Sequence, residues 1–112
     1  MTQKVFLLVS LLFFLSAVSS VAMDRGSTSI EINGGPKGNI TFPHHEHQDL
    51  LGDCKICHDI FPQKKGAIAD SVAKGDLKKK QVMNKTCIQC HRDRKKAGQS
   101  FGPVNCNDCH KK

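Results

Sequence analysis

The chain has 112 residues, among them six cysteines and six phenylalanines but no Trp or Tyr, and a formal net charge of +7. That length fits one small domain, and with so few aromatics a conventional apolar core is too thin to hold it together. The basic balance suits nucleic acid, anionic lipid or an acidic protein, yet no aromatics interleave with the lysines, which argues against a base-stacking nucleic-acid surface.

Residues 1–22 read as a signal peptide. Lys4 supplies a positive start, Val5 to Val18 form an apolar stretch broken only by serines, and Ser20-Val21-Ala22 offers small residues for cleavage. The stretch is short for a transmembrane anchor, and no cysteine marks a lipoprotein junction. Cleavage after Ala22 leaves an exported domain, residues 23–112, and no stable membrane insertion is expected of it. Among the basic residues the leader removes only Lys4, so the mature domain stays strongly basic.

Both Ser29–Ile32 and Asn39–Phe42 alternate apolar and polar residues, as half-buried strands do, around the turn sequence Gly34-Gly35-Pro36-Lys37-Gly38. Phe42-Pro43-His44-His45-Glu46-His47-Gln48 then gathers three histidines. If a helix begins after Pro43, His44 and His47 are i, i+3 and share a face, from which they can point at two neighbouring groups. His45 points elsewhere.

The cysteines fall in three pairs, each followed at once by histidine: Cys54-Lys55-Ile56-Cys57-His58, Cys87-Ile88-Gln89-Cys90-His91 and Cys106-Asn107-Asp108-Cys109-His110. This is the attachment pattern of c-type haem. Two thiols three positions apart reach the two vinyl groups of one porphyrin, and the next residue offers an imidazole to the iron. An even cysteine count in a small exported chain otherwise suggests disulfides, but neither a redox disulfide nor a zinc ribbon requires a histidine after every pair. The three motifs therefore predict three covalent haem c groups, held by Cys54, Cys57, Cys87, Cys90, Cys106 and Cys109, with His58, His91 and His110 as proximal iron ligands. Porphyrins then serve as the core, and the apo-chain is expected to be largely unfolded. Each oxidised haem also brings about one net negative charge, and about two once reduced, so part of the lysine excess balances propionates.

Between the first two motifs, Ala67–Ala73 can form two helical turns with Ile68 and Val72 on one face and Lys74-Gly75 as a stop. It reads as a lid over a haem face or as a loose surface loop. Lys78-Lys79-Lys80 and Arg92, Arg94, Lys95 and Lys96 are either a solvated face or a docking surface for an acidic redox partner. Gly98 is expected to end a short helix after the second motif, and Gly102-Pro103 to turn the chain into the third.

From about Ser29 to Lys112 the chain resembles the periplasmic triheme cytochromes of the cytochrome c7 type, relatives of tetrahaem cytochrome c3 that lack its second haem. The resemblance rests on Phe42-Pro43-His44 with His47, the three Cys-x-x-Cys-His sites and the Lys111-Lys112 end. It implies a small α+β fold with little regular structure. In such a fold Ser29–Ile32 and Asn39–Phe42 pair as an N-terminal two-stranded β-hairpin, and short helices and loops wrap around the three haems. It also implies that His44 is the distal ligand of the first haem and His47 that of the second.

In that family the last haem takes a distal histidine placed four residues before the second attachment motif, and here that residue is Met83. A methionine thioether is a good haem ligand, and His/Met ligation raises the reduction potential relative to bis-His. A third haem on His110 and Met83, with the highest potential of the three, leads the readings. Two alternatives stay open: Met83 packs on a porphyrin and leaves an open iron, or His45 reaches across. The function expected is electron transfer in the periplasm between redox partners of an anaerobic respiratory chain, by a monomer that is not an enzyme. The rival is a terminal reductase of metal ions or small oxyanions acting at an open haem.

Overall fold

The computed structural model describes residues 22–111, so the expected leader lies almost wholly outside the described residues. Strand β1 (Ile30–Ile32) pairs antiparallel with β2 (Ile40–Phe42), setting Ile30 opposite Phe42, Glu31 opposite Thr41 and Ile32 opposite Ile40. The hairpin that the resemblance implies is present, one residue shorter on each arm. Because strand side chains alternate between faces, the four apolar residues share one face. On the other, Thr41 Oγ1 donates to Glu31 Oε1 at 2.6 Å. A single 3-10 turn, Gly35–Lys37, joins the arms around Pro36.

Helix α1 (His44–Leu51) starts directly after Pro43, where proline's fixed φ and missing amide suit a helix start. Glu46 in its first turn favours the positive end of the helix dipole. The one-turn helix α2 (Lys55–His58) holds most of the first cysteine motif. Helix α3 spans Ala67–Lys74 and stops at Gly75, as its sequence predicts. Ala67, Ile68, Ser71 and Val72 are buried or half-buried, whereas Ala69, Asp70, Ala73 and Lys74 are exposed, so α3 has one inward face. Lys64 ties the preceding loop to Asp70 at 2.6 Å, and this contact holds the Asp70 carboxyl below its ordinary pKa.

The short helix expected behind the second motif is present and ends before Gly98, but it continues a helix that starts ahead of the motif. That helix begins as α4 (Lys79–Val82), continues through a π-helical segment at Met83–Cys87 and runs on as α5 (Ile88–Lys96). Within it the Ile88 amide donates to the Met83 carbonyl, five residues back, which gives the wide π turn. No proline or glycine interrupts residues 79–96, so nothing stops the helix from running through the attachment site. Gly98 follows its end. The third motif forms one turn, α6 (Cys106–Cys109).

Among the described residues the buried apolar side chains are Phe61, Ala67, Leu77 and Ile88, and no polar side chain is buried. Three residues between the first and second motifs and one within the second are far less core than a domain of this length needs for independent stability. The thin core anticipated from composition is thus a property of the fold.

Candidate haem-binding sites

The three motifs present their thiols alike. In each, the first cysteine (Cys54, Cys87, Cys106) is exposed and the second (Cys57, Cys90, Cys109) half-buried, and all six are free thiols. Burial pushes the Cys57 thiol pKa up, with the nearby Cys90 and Cys54 thiols adding to the effect. Cys87 keeps an accessible edge, yet the protein packed around its sulfur partly desolvates it and raises its thiol pKa, followed by the influence of Cys57 and Cys109. One cysteine of the second motif therefore lies within electrostatic reach of both other motifs. Three sites distant in sequence share one neighbourhood.

The histidines form facing pairs. The His44 and His58 rings lie 6.2 Å apart, centre to centre, with their planes at 89°. Those of His47 and His91 are also 6.2 Å apart, with planes at 32°. Helix α1 makes both pairings possible, because His44 and His47 are one turn apart on one face. An imidazole nitrogen sits about 2.0 Å from a first-row metal and about 1.1 Å from its own ring centre, so two imidazoles across one iron have centres about 6.2 Å apart. The pairs fit the spacing of two axial ligands on a haem iron.

The ring nitrogens agree with that spacing. His58 Nδ1 donates to the Phe61 carbonyl at 2.7 Å, His91 Nδ1 to that of Pro103 at 2.6 Å, and His110 Nδ1 to that of Gly38 at 3.0 Å. His44 Nδ1 donates to the Ser27 carbonyl and His47 Nδ1 to that of Pro43, both at 2.9 Å. In each ring the Nδ1 proton is thereby fixed, and Nε2 carries the lone pair a metal requires. His45 is the reverse: its Nε2 donates to the Gly26 carbonyl at 3.0 Å. Among the described residues no second imidazole faces His110 as His44 faces His58, and no three His, Cys, Asp or Glu side chains converge as a bare-metal site requires. Met83 opens the π-helical segment, half-buried, one helical turn before Cys87.

Two glycines allow these rings their positions. A β-carbon on Gly102 would lie 2.6 Å from His91 Cε1, and one on Gly34 would lie 2.6 Å from His110 Nδ1. The sequence gives no warning of the carbonyl partners at Ser27, Gly38, Phe61 and Pro103, since every residue has a carbonyl. Gly34 and Gly102, in otherwise unremarkable loops, were the available signal.

A thin polypeptide core, three Cys-x-x-Cys-His turns brought into one neighbourhood and imidazoles paired at axial-ligand spacing define a multihaem c-type cytochrome. Comparison with known proteins gives the family. The model described as cytochrome c7 and related cytochrome c matches residues 40–111. Cytochrome c7 of Geobacter metallireducens is 39% identical over 75 residues, covering 67% of each chain. Cytochrome c3 of Desulfuromonas acetoxidans is 34% identical over 74 residues, 66% of this chain and 84% of that one. Among solved structures, PpcC, a cytochrome c7 from Geobacter sulfurreducens, superposes with a TM-score of 0.54 at 33% identity, over 77% of this chain and 99% of that one. The chain belongs to the cytochrome c7 family. It is a periplasmic electron-transfer protein with covalently attached c-type haem, and an electron carrier rather than an enzyme.

Proposed function

We propose that the mature domain, residues 23–112, is freed from a leader ending at Ala22 and carries three haem c groups of unequal ligation. Cys54 and Cys57, Cys87 and Cys90, and Cys106 and Cys109 each anchor one group. His58 with His44 and His91 with His47 hold two irons, and His110 with Met83 holds the third. Each group, when bound, supplies a one-electron iron couple. The polypeptide sets the potential of each through ligand identity, second-shell hydrogen bonds and local charge.

The observation that carries this reading is the pair of 6.2 Å imidazole separations, each made by rings whose Nδ1 protons are held by backbone carbonyls. His45 is a poorer candidate for the third iron because its Nε2 is already engaged with Gly26. Met83 stands at a π-helical segment, a local geometry found frequently at functional sites.

The domain acts as a monomer that exchanges electrons with partner proteins of an anaerobic respiratory chain through acidic docking surfaces. Exposed Lys78, Lys80 and Lys85 line a cleft with Gln81 and Asn84 beside Met83, and Arg92, Lys95 and Lys96 extend the exposed positive charge along α5. Exposed charge of this kind speeds encounter with an acidic surface and loses its effect as salt rises. Among the described residues no helix is long and apolar enough to cross a membrane.

The test is an intact mass combined with a haem-resolved redox titration of holoprotein. The expected result is a mass increment of three haems and three one-electron steps, the third haem clearly above the others. Two haems, or a third haem at the level of its neighbours, would contradict the proposal.

A further inference from the structure

The segment N-terminal to the hairpin lies before the region matched by the family model, which begins at residue 40. It is nevertheless bonded throughout to the first two turns of α1. The Arg25 guanidinium reaches Gln48 Oε1 through Nε at 3.2 Å and Asp49 Oδ1 through Nη2. Gln48 Nε2 returns a hydrogen bond to the Arg25 carbonyl at 2.9 Å. The Gly26 carbonyl accepts from His45 Nε2 at 3.0 Å, the Ser27 carbonyl from His44 Nδ1 at 2.9 Å and the Thr28 carbonyl from the His45 amide at 3.1 Å. Four consecutive residues thus each place a carbonyl on α1, and one of those carbonyls holds the His44 ring.

We propose that Arg25–Thr28 is a strap that positions His44 and tunes the first haem. The inference rests on the reading of His44 as that haem's distal ligand. A carbonyl accepting from Nδ1 fixes the tautomer, prevents ring rotation and makes Nε2 a stronger donor. The other proposed α1 ligand has no need of the strap: His47 bonds the Pro43 carbonyl one turn below it, within its own element. His44 lacks such a local partner and borrows Ser27, seventeen positions away. Arg25 is the anchor, because its two side-chain bonds and the return bond from Gln48 fix the strap at the end remote from His44. Arg25 and Gln48 act only through His44 and are positioning residues.

The experiment uses holoprotein with Arg25→Ala and Gln48→Ala combined, a pair that removes these three bonds without touching any proposed ligand. Arg25→Lys, which keeps the charge opposite Asp49, serves as the conservative variant, and His44→Ala as the control. In the double variant the first haem should shift to higher potential, because its distal imidazole becomes a weaker donor. It should also bind cyanide about tenfold faster, the scale on which second-shell losses act at metal sites. The second haem should keep its potential, and Arg25→Lys should restore most of the first haem's behaviour. A first haem unchanged in potential and cyanide binding overturns the strap. If His44→Ala itself leaves the first haem low-spin and closed to cyanide, the ligand assignment fails instead, so the two failures are told apart.

Discussion

The His44 and His58 rings lie with their centres 6.2 Å apart and their planes perpendicular, at 89°. His47 and His91 keep the same separation with planes only 32° apart. The difference follows from the carbonyls that orient each ring. His44 is turned by Ser27 of the N-terminal segment and His47 by Pro43 within its own turn, while His58 and His91 are held by Phe61 and Pro103.

Parallel imidazoles interact with one of the two iron dπ orbitals and split their energies; perpendicular imidazoles leave them nearly degenerate. The oxidised first haem should therefore give a strongly anisotropic low-spin resonance, and the second a more rhombic one. Electron paramagnetic resonance of the oxidised holoprotein checks this. His44→Ala should abolish the anisotropic signal and His47→Ala the rhombic one. Two identical bis-His signals would contradict the ring orientations.

Substitution of either ring-facing glycine should damage one haem and spare the others. In Gly102→Ala the new methyl would lie 2.6 Å from His91 Cε1 and 2.8 Å from Nε2, so the imidazole must rotate or the loop withdraw. In Gly34→Ala it would meet the Gly38 carbonyl and His110 Nδ1, the two partners of the bond that joins the hairpin turn to the third motif. A loss of about 1–3 kcal/mol in holoprotein stability is expected for each. The second haem's potential should shift in Gly102→Ala and the third's in Gly34→Ala, as read by haem-resolved titration.

In the proposed ligation, Met83 separates the third haem from the other two. Met83→His supplies an imidazole in place of the thioether and should lower the third potential toward the bis-His pair. Met83→Ala should leave an iron that binds carbon monoxide when reduced, while the native protein binds it poorly. Carbon monoxide titration of the reduced native protein and both variants distinguishes these outcomes.

Much of this arrangement is written in local signals. The Cys-x-x-Cys-His spacing is fixed by porphyrin chemistry, so Cys54 to His110 could be read without a fold. The alternation of Ile30–Ile32 and Ile40–Phe42, the helix start after Pro43 and the stop at Gly75 obey short-range rules that tertiary contacts did not override. The carbonyl partners were not legible, because a hydrogen bond such as His110 to Gly38 spans 72 positions and its acceptor is backbone. The helix start at Lys79 has no mark in the sequence, because a run of lysines carries no apolar period. The π-helical segment depends on the Ile88 amide pairing with Met83, a shift by one residue that composition does not announce. The strap at Arg25–Thr28 was invisible for the same reason as the other carbonyls.

The central claim is that the haems are unequal, two bis-His and one His/Met. Near-infrared magnetic circular dichroism of the fully oxidised holoprotein tests it most directly, because the ligand-to-iron charge-transfer band moves with the axial pair. The account predicts bis-His and His/Met bands in a ratio of two to one, with the His/Met band lost in Met83→Ala. A spectrum with bis-His bands alone, or with a high-spin component in the native protein, would contradict it.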